Sequence, residues 1–201
     1  MATVEIRGNS DLRKAMRRFA PDLEKNLRKE MASGLKPVVA KARGYVPAES
    51  PMSGWAARSF NQGKFPTFNS GVIQRGITYS TSVSKTNKNG FNSMAAIYNK
   101  SASGAIYETA GRKNPNGQPW VGPKSAGTSK KVSRSNNPNA GQTFINNLPP
   151  LVSSLQGQGR LIYRAWAEDK GIAHGIVMRA VDKSITEFYA RSNAGTLGKA
   201  A

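Results

Sequence analysis

Two long stripes of apolar residues, one toward each end of the chain, set the main constraint on its fold. Leu23, Leu27, Met31, Leu35, Val38, Val39 and Ala42 recur at steps of three and four residues. On a helix these positions line up as one buried face. Toward the other end Ile172, Ile176, Val177, Ala180, Val181, Ile185 and Phe188 follow the same rule. A helix with one apolar face must cover it with another layer. The spacing therefore predicts two amphipathic helices packed on whatever lies between them.

The first helix carries its own boundary signals. Pro21 suits a first turn, where a missing N–H costs nothing. Asp22 and Glu24 fall near its start and Lys41 and Arg43 near its end, the polarity that the helix dipole favours. Gly34 and Pro37 predict a weak or kinked middle, and Gly44 and Pro47 end it. A shorter helix is expected before it, starting at Asp11 behind a Ser10 or Asn9 cap, with Leu12, Met16 and Phe19 as its apolar stripe. The C-terminal helix should begin near Glu168 or Gly171, and residues 192–201 read as a flexible Gly/Ala tail.

Between the helices the pattern changes. Residues 45–70 are irregular, yet this loop holds Trp55, Phe60, Phe65 and Phe68. Four aromatics in a loop need burial against the fold or against a neighbouring subunit. Val72 to Val83 is β-branched and aromatic and predicts a strand. Ser93 to Tyr98 is its return strand across a turn containing Asn89-Gly90. Ala105 to Thr109 fits a strand or a short helix. From Gly111 to about Gln142 the chain is polar, basic and rich in Gly, Asn, Ser and Pro. Such a segment buries too little apolar surface to offset its ordering entropy, so it is expected to be mobile until it meets a neighbour. An apolar patch from Phe144 to Leu155 is broken by Pro149-Pro150, and Leu161 to Ala167 fits strand or helix. No internal repeat is visible.

The 201 residues suffice for one domain with a core. There are no cysteines, which excludes disulfides, thiolate metal clusters and cysteine nucleophiles. No apolar run approaches the roughly 20 residues that span a bilayer, and the start of the chain lacks the apolar core of a signal peptide. A soluble, unprocessed protein with no membrane contact is expected. The net charge is +19, from 30 Lys and Arg against 11 Asp and Glu. Between Ser50 and Ala167 the one acid is Glu108, among fourteen basic residues. Such a field attracts nucleic acid or an acidic protein surface, or simply keeps a solvated face soluble.

Chemistry-bearing constellations are sparse. His174 is the one histidine, so a His-rich metal site or an HExxH motif is impossible, and no nucleophile elbow accompanies it. It reads as a solvent-facing helix residue. Glu168 and Asp169 are adjacent and suit dipole compensation at the start of the last helix. No phosphate-binding or dinucleotide fingerprint occurs. Enzymatic activity and cofactors are not expected. Glu108, alone among cations, should find an Arg or Lys, either within the chain or across a subunit boundary that sets register.

Three stretches carry a resemblance to a known family. They are the long helix ending in AKARGYVP; FPTFNSGVIQRGITYSTSV followed by GAIYETAGR; and QTFINNL, then GQGRLIYRAWAEDKG and a closing helix. Together they resemble the neck proteins of long-tailed phages, known as head–tail joining, tail-completion or head-to-tail connector proteins, in versions from phages of actinobacteria. The likeness spans most of the chain through short motifs, with a long insertion at 111–142. It implies an α+β fold: a small antiparallel β-sheet or sandwich packed by a long N-terminal helix and a C-terminal helix, with long loops. It implies one domain over residues 1–201 that forms a homo-oligomeric ring, usually a hexamer, in the virion neck after assembly in the host cytoplasm.

The partners so implied are further copies of the chain, a head-side adaptor or stopper protein, and a tail terminator or tail tube protein. Genomic DNA in the lumen is a further one. The residues offered for intersubunit or partner contact are Trp55, Phe60, Phe65, Phe68, Glu108, Arg112, Lys113, Lys130, Lys131, Arg134, Arg164 and Trp166. Those offered to DNA are Lys124, Lys130, Lys131 and Arg134. Two other roles fit the same residues: a tail terminator that caps the tube, and a non-specific DNA-binding protein. No helix-turn-helix, zinc finger or aromatic RNA-binding signature supports the second.

Overall fold

The computed structural model describes residues 3–7, 10–52, 54–56, 66–86, 92–123 and 132–195. The fold is α+β, as the resemblance implies. Helix α1 (Ser10–Phe19) leads into α2 (Pro21–Gly44) through Ala20. The buried residues of α2 are the expected stripe, with Glu24 and Gly34 added to it. Burying each of its leucines contributes about 1.5–3 kcal/mol. The helix runs unbroken through Pro37, whose place on the exposed side spares the core.

A three-stranded antiparallel sheet lies beside α2. Strand β1 (Thr3–Arg7) and strand β2 (Ile77–Ser80) flank the central β3 (Ser93–Asn99). Val4 faces Ile97 and Ile6 faces Ala95 in register, and all four are buried. The β2–β3 hairpin is the one expected, with Tyr79 opposite Ile97. Its Asn89-Gly90 turn lies outside the described residues, as does the Asn9 proposed as a cap. Helix α3 (Ser70–Gly76) precedes β2, and α4 (Ala102–Thr109) follows β3. Helix α5 (Ala140–Asn146), a short hairpin of β4 (Val152–Ser154) and β5 (Gly157–Gly159), and α6 (Ile162–Glu168) lead to α7 (Ile172–Asn193).

Helix α7 packs along α2. They approach closely at Gly34, where an added Cβ would stand 2.9 Å from Ile176 Cγ2. Two ion pairs flank the seam, Lys183–Glu30 at 2.9 Å and Arg191–Asp22 at 2.7 Å. On the other side α1 is tied down by charge. Arg13 is 1% exposed, donates to Met94 O at 3.1 Å and pairs with Glu24 at 2.9 Å. Glu24 also holds Arg28 at 2.7 Å and Arg17 at 3.6 Å. Burial alone would raise its pKa, but the surrounding guanidinium groups hold it below the ordinary value.

Several expectations are corrected. Val72–Gly76 is helix, not strand. Asn69 accepts the Val72 N–H at 2.9 Å as an N-cap, and Ile73 alone of this helix is buried, so local capping outweighs β-propensity. Phe19 is not core but 40% exposed, with the Arg18 guanidinium 5.3 Å from its ring; Arg13 takes the inward position. Within the span from Gly111 to Gln142 the described parts carry contacts of their own. Trp120 bridges to Ser133, its indole N–H donates to Ser135 O at 2.8 Å, and α5 begins at Ala140. Ser192 and Asn193, assigned to the tail, complete α7.

Candidate functional site

The most constrained site is a buried carboxylate junction between α4 and α6. Ser101 caps α4 by accepting the Gly104 N–H at 3.0 Å, which aims Glu108 inward on the last turn. Glu108 has no exposed surface. Its Oε2 accepts the N–H groups of Leu161 at 2.6 Å and Ile162 at 3.2 Å, and its Oε1 that of Tyr163 at 3.0 Å. These are the orphan donors of the α6 start, where the helix dipole is positive. Leu161 itself caps this helix without a side-chain bond, so a glutamate far away in sequence does the capping.

Arg160 completes the junction. It is 4% exposed and donates through Nη1 to Tyr107 O at 3.0 Å and Ala110 O at 2.8 Å, and through Nε to Pro149 O. One guanidinium thus closes the end of α4 and fixes the turn before β4. Gly159 admits the carboxylate, since a Cβ there would overlap Glu108 Oε1. Burial pushes the Glu108 carboxyl above the ordinary value, against the three N–H bonds and the nearby Arg160 charge.

The junction corrects both expectations for Glu108. Its oxygens are taken by backbone N–H groups rather than by a cation, and a residue with no accessible surface offers nothing to a neighbour. Of the two burials open to the aromatic loop, Trp55 and Phe68 take the one against the fold. Trp55 is 0% exposed; its ring centroid lies 5.2 Å from Phe68 and 5.1 Å from Phe144, and its N–H donates to Pro66 O at 2.9 Å. Phe68 in turn meets Tyr107 at 6.2 Å. Trp55, Phe68 and Trp166 all belong to the chain's own core. Phe60, Phe65, Lys124, Lys130 and Lys131 lie outside the described residues.

The remaining candidates are at the surface. Arg112 is exposed and stacks 4.9 Å over Tyr163. Lys113 and Arg134 are exposed. Arg164 is half-buried, 4.1 Å over Tyr45, and pairs with Glu168 at 2.9 Å. Glu168 ends α6 and does not start α7; it also binds Lys41 at 2.8 Å and the Tyr45 hydroxyl. Hydrogen bonds from Lys41, Tyr45 and Arg164 hold its pKa down at about 2. Asp169 does serve the last helix, accepting the Ala173 N–H at 2.7 Å.

An open groove runs beside β1, lined by Thr3, Glu5, Leu155, Gln156, Tyr163 and His174, which is exposed. At its floor the Gln156 side chain behaves like a strand partner. Its Oε1 accepts the Glu5 N–H at 2.8 Å and its Nε2 donates to Glu5 O at 3.0 Å. The Tyr163 hydroxyl meets Thr3 O at 3.3 Å. Among the described residues no group of three or more His, Asp or Glu side chains could hold a metal ion. No helix among them is long and apolar enough to cross a membrane.

Comparison with family models, with curated proteins and with solved structures gives no match to this chain.

Proposed function

We propose that the chain is a structural subunit of a tailed-phage neck, forming a closed ring of identical copies between the head-side connector and the tail tube. One observation above the others supports the reading. Two of the segments that resemble neck proteins, GAIYETAGR and GRLIYRAW, are built into a single buried unit by Glu108 and Arg160. Segments that look like separate short motifs in sequence act as one structural motif. The geometry suits a mechanical role. Charge-assisted bonds lock the core, while Trp120, Val121, Leu155, Ile172 and Tyr189 remain exposed for neighbours. With Trp55, Phe68, Glu108 and Trp166 inside the subunit, the interface falls to these residues and to Arg112, Lys113 and Arg134.

A ring needs a head-to-tail contact whose rotation closes. Mass measurement of the purified protein, alone and mixed with tail tubes, tests this. The expected result is a discrete oligomer, six times the chain mass, in at least one condition. A monomer in both conditions refutes the proposal.

A further inference from the structure

The outer face of α2 carries a line of cations that no acid balances. At about 100° per residue, Lys25, Lys29, Lys36 and Arg43 fall within about 40° of one another around the helix. All four are exposed. At about 1.5 Å per residue the line is about 27 Å long.

The acids of α2 are all engaged elsewhere. Glu24 is turned into the Arg13 cluster, Glu30 holds Lys183, and Asp22 holds Arg191. Lys25, Lys29 and Lys36 have no ion pair among the described residues, and Arg43 donates to Ile77 O. Ala32 and Ala40 lie between the cations, and no aromatic or large aliphatic side chain interrupts them.

We propose that this stripe is a docking surface for the phosphate backbone of nucleic acid, read without sequence preference. Lysine is depleted from the centres of protein–protein interfaces, which rely on aromatic and aliphatic anchors that this face lacks. Cationic side chains repeated along one face of a rigid rod, separated by small side chains, instead suit a row of phosphates. The inference rests on the neck role for its source of DNA and names the surface that meets it. It moves the DNA contact from the 111–142 loop to the long helix.

The test uses the isolated full chain, a mixed-sequence DNA duplex and, as a charge-only probe, polyglutamate. Each phosphate contact contributes roughly 0.9 to the slope of log affinity against log salt. Replacing Lys25, Lys29 and Lys36 together by Gln should lower the duplex slope by about 2–3 and weaken binding by about tenfold or more near 0.1 M salt. A charge-matched control, with Lys85, Lys100 and Arg179 replaced by Gln, should lose much less. Equal losses in both triple variants would mean bulk charge and overturn the proposal. Loss of polyglutamate binding with duplex binding intact would assign the stripe to an acidic protein and also overturn it. Circular dichroism checks that both variants fold, and the measurement needs no ring, so failure of assembly and failure of the stripe are read separately.

Discussion

Replacing Glu108 by Gln should destabilise the protein far more than the exchange of one heavy atom suggests. The carboxylate now serves three donors on two oxygens. An amide has one accepting oxygen. If that oxygen faces Leu161 and Ile162, the Tyr163 N–H meets an NH2 group, and a donor faces a donor. Bonds to a charged acceptor are worth about 1.5–3 kcal/mol and neutral ones about 0.5–1.5, while a buried unsatisfied donor costs about 1–3. Two weakened bonds and one orphaned donor come to roughly 3–5 kcal/mol. A neutral side chain is easier to bury, which returns about 1 kcal/mol and leaves a net cost of about 2–4. For a chain of this size each kcal/mol moves Tm by about 2–4 °C, so thermal unfolding should shift down by about 4–16 °C. Amide exchange at Leu161, Ile162 and Tyr163 should accelerate, with little change at Leu27 or Met31. A Tm within about 2 °C of wild type would refute the account of Glu108 as the cap of α6.

The Glu168 cluster should confer acid sensitivity. Its folded pKa of about 2 lies below the ordinary 4.5, so its contribution is present above pH 4.5 and is lost as pH falls toward 2. Carboxyl titration by NMR should show a midpoint near 2, and Lys41→Ala should move it upward; a midpoint near 4.5 in the wild type would contradict the clustering. At the α2–α7 seam, Gly34→Val should cost about 1–3 kcal/mol by forcing Ile176 aside, read as a lower urea midpoint. Gly34→Ala should cost less, since better helix propensity offsets the clash by about 1 kcal/mol.

The two long helices were legible because period and length agree over many residues. The β2–β3 hairpin was legible from its branched and aromatic strands. Strand β1 was not, since TVEIR offers only Val4 and Ile6 to an alternation that needs a sheet to give it meaning. Helix α3 was misread because its fate turns on Asn69, a capping residue that a run of β-branched neighbours obscures. Glu108 stood out correctly as an isolated acid, but the nature of its partner was hidden. Backbone N–H groups at a helix start leave no mark in composition, and the 53-residue separation from Leu161 puts the contact beyond any local pattern. The α2 stripe was open to view. Its 4, 7 and 7 spacing is the polar counterpart of the apolar period on the same helix.

The side chains on the outer edge of β1 have a consequence for the order of folding. That strand pairs inward with β3, and outward its backbone is met by Gln156 and Tyr163. During synthesis the first strand therefore waits for more than 150 residues before its second edge is satisfied. Until then it presents the bare hydrogen-bonding row that invites pairing between chains. Formation of the β4–β5 hairpin brings Gln156 to that edge, so a glutamine amide made late in synthesis covers the Glu5 backbone in the middle of the strand.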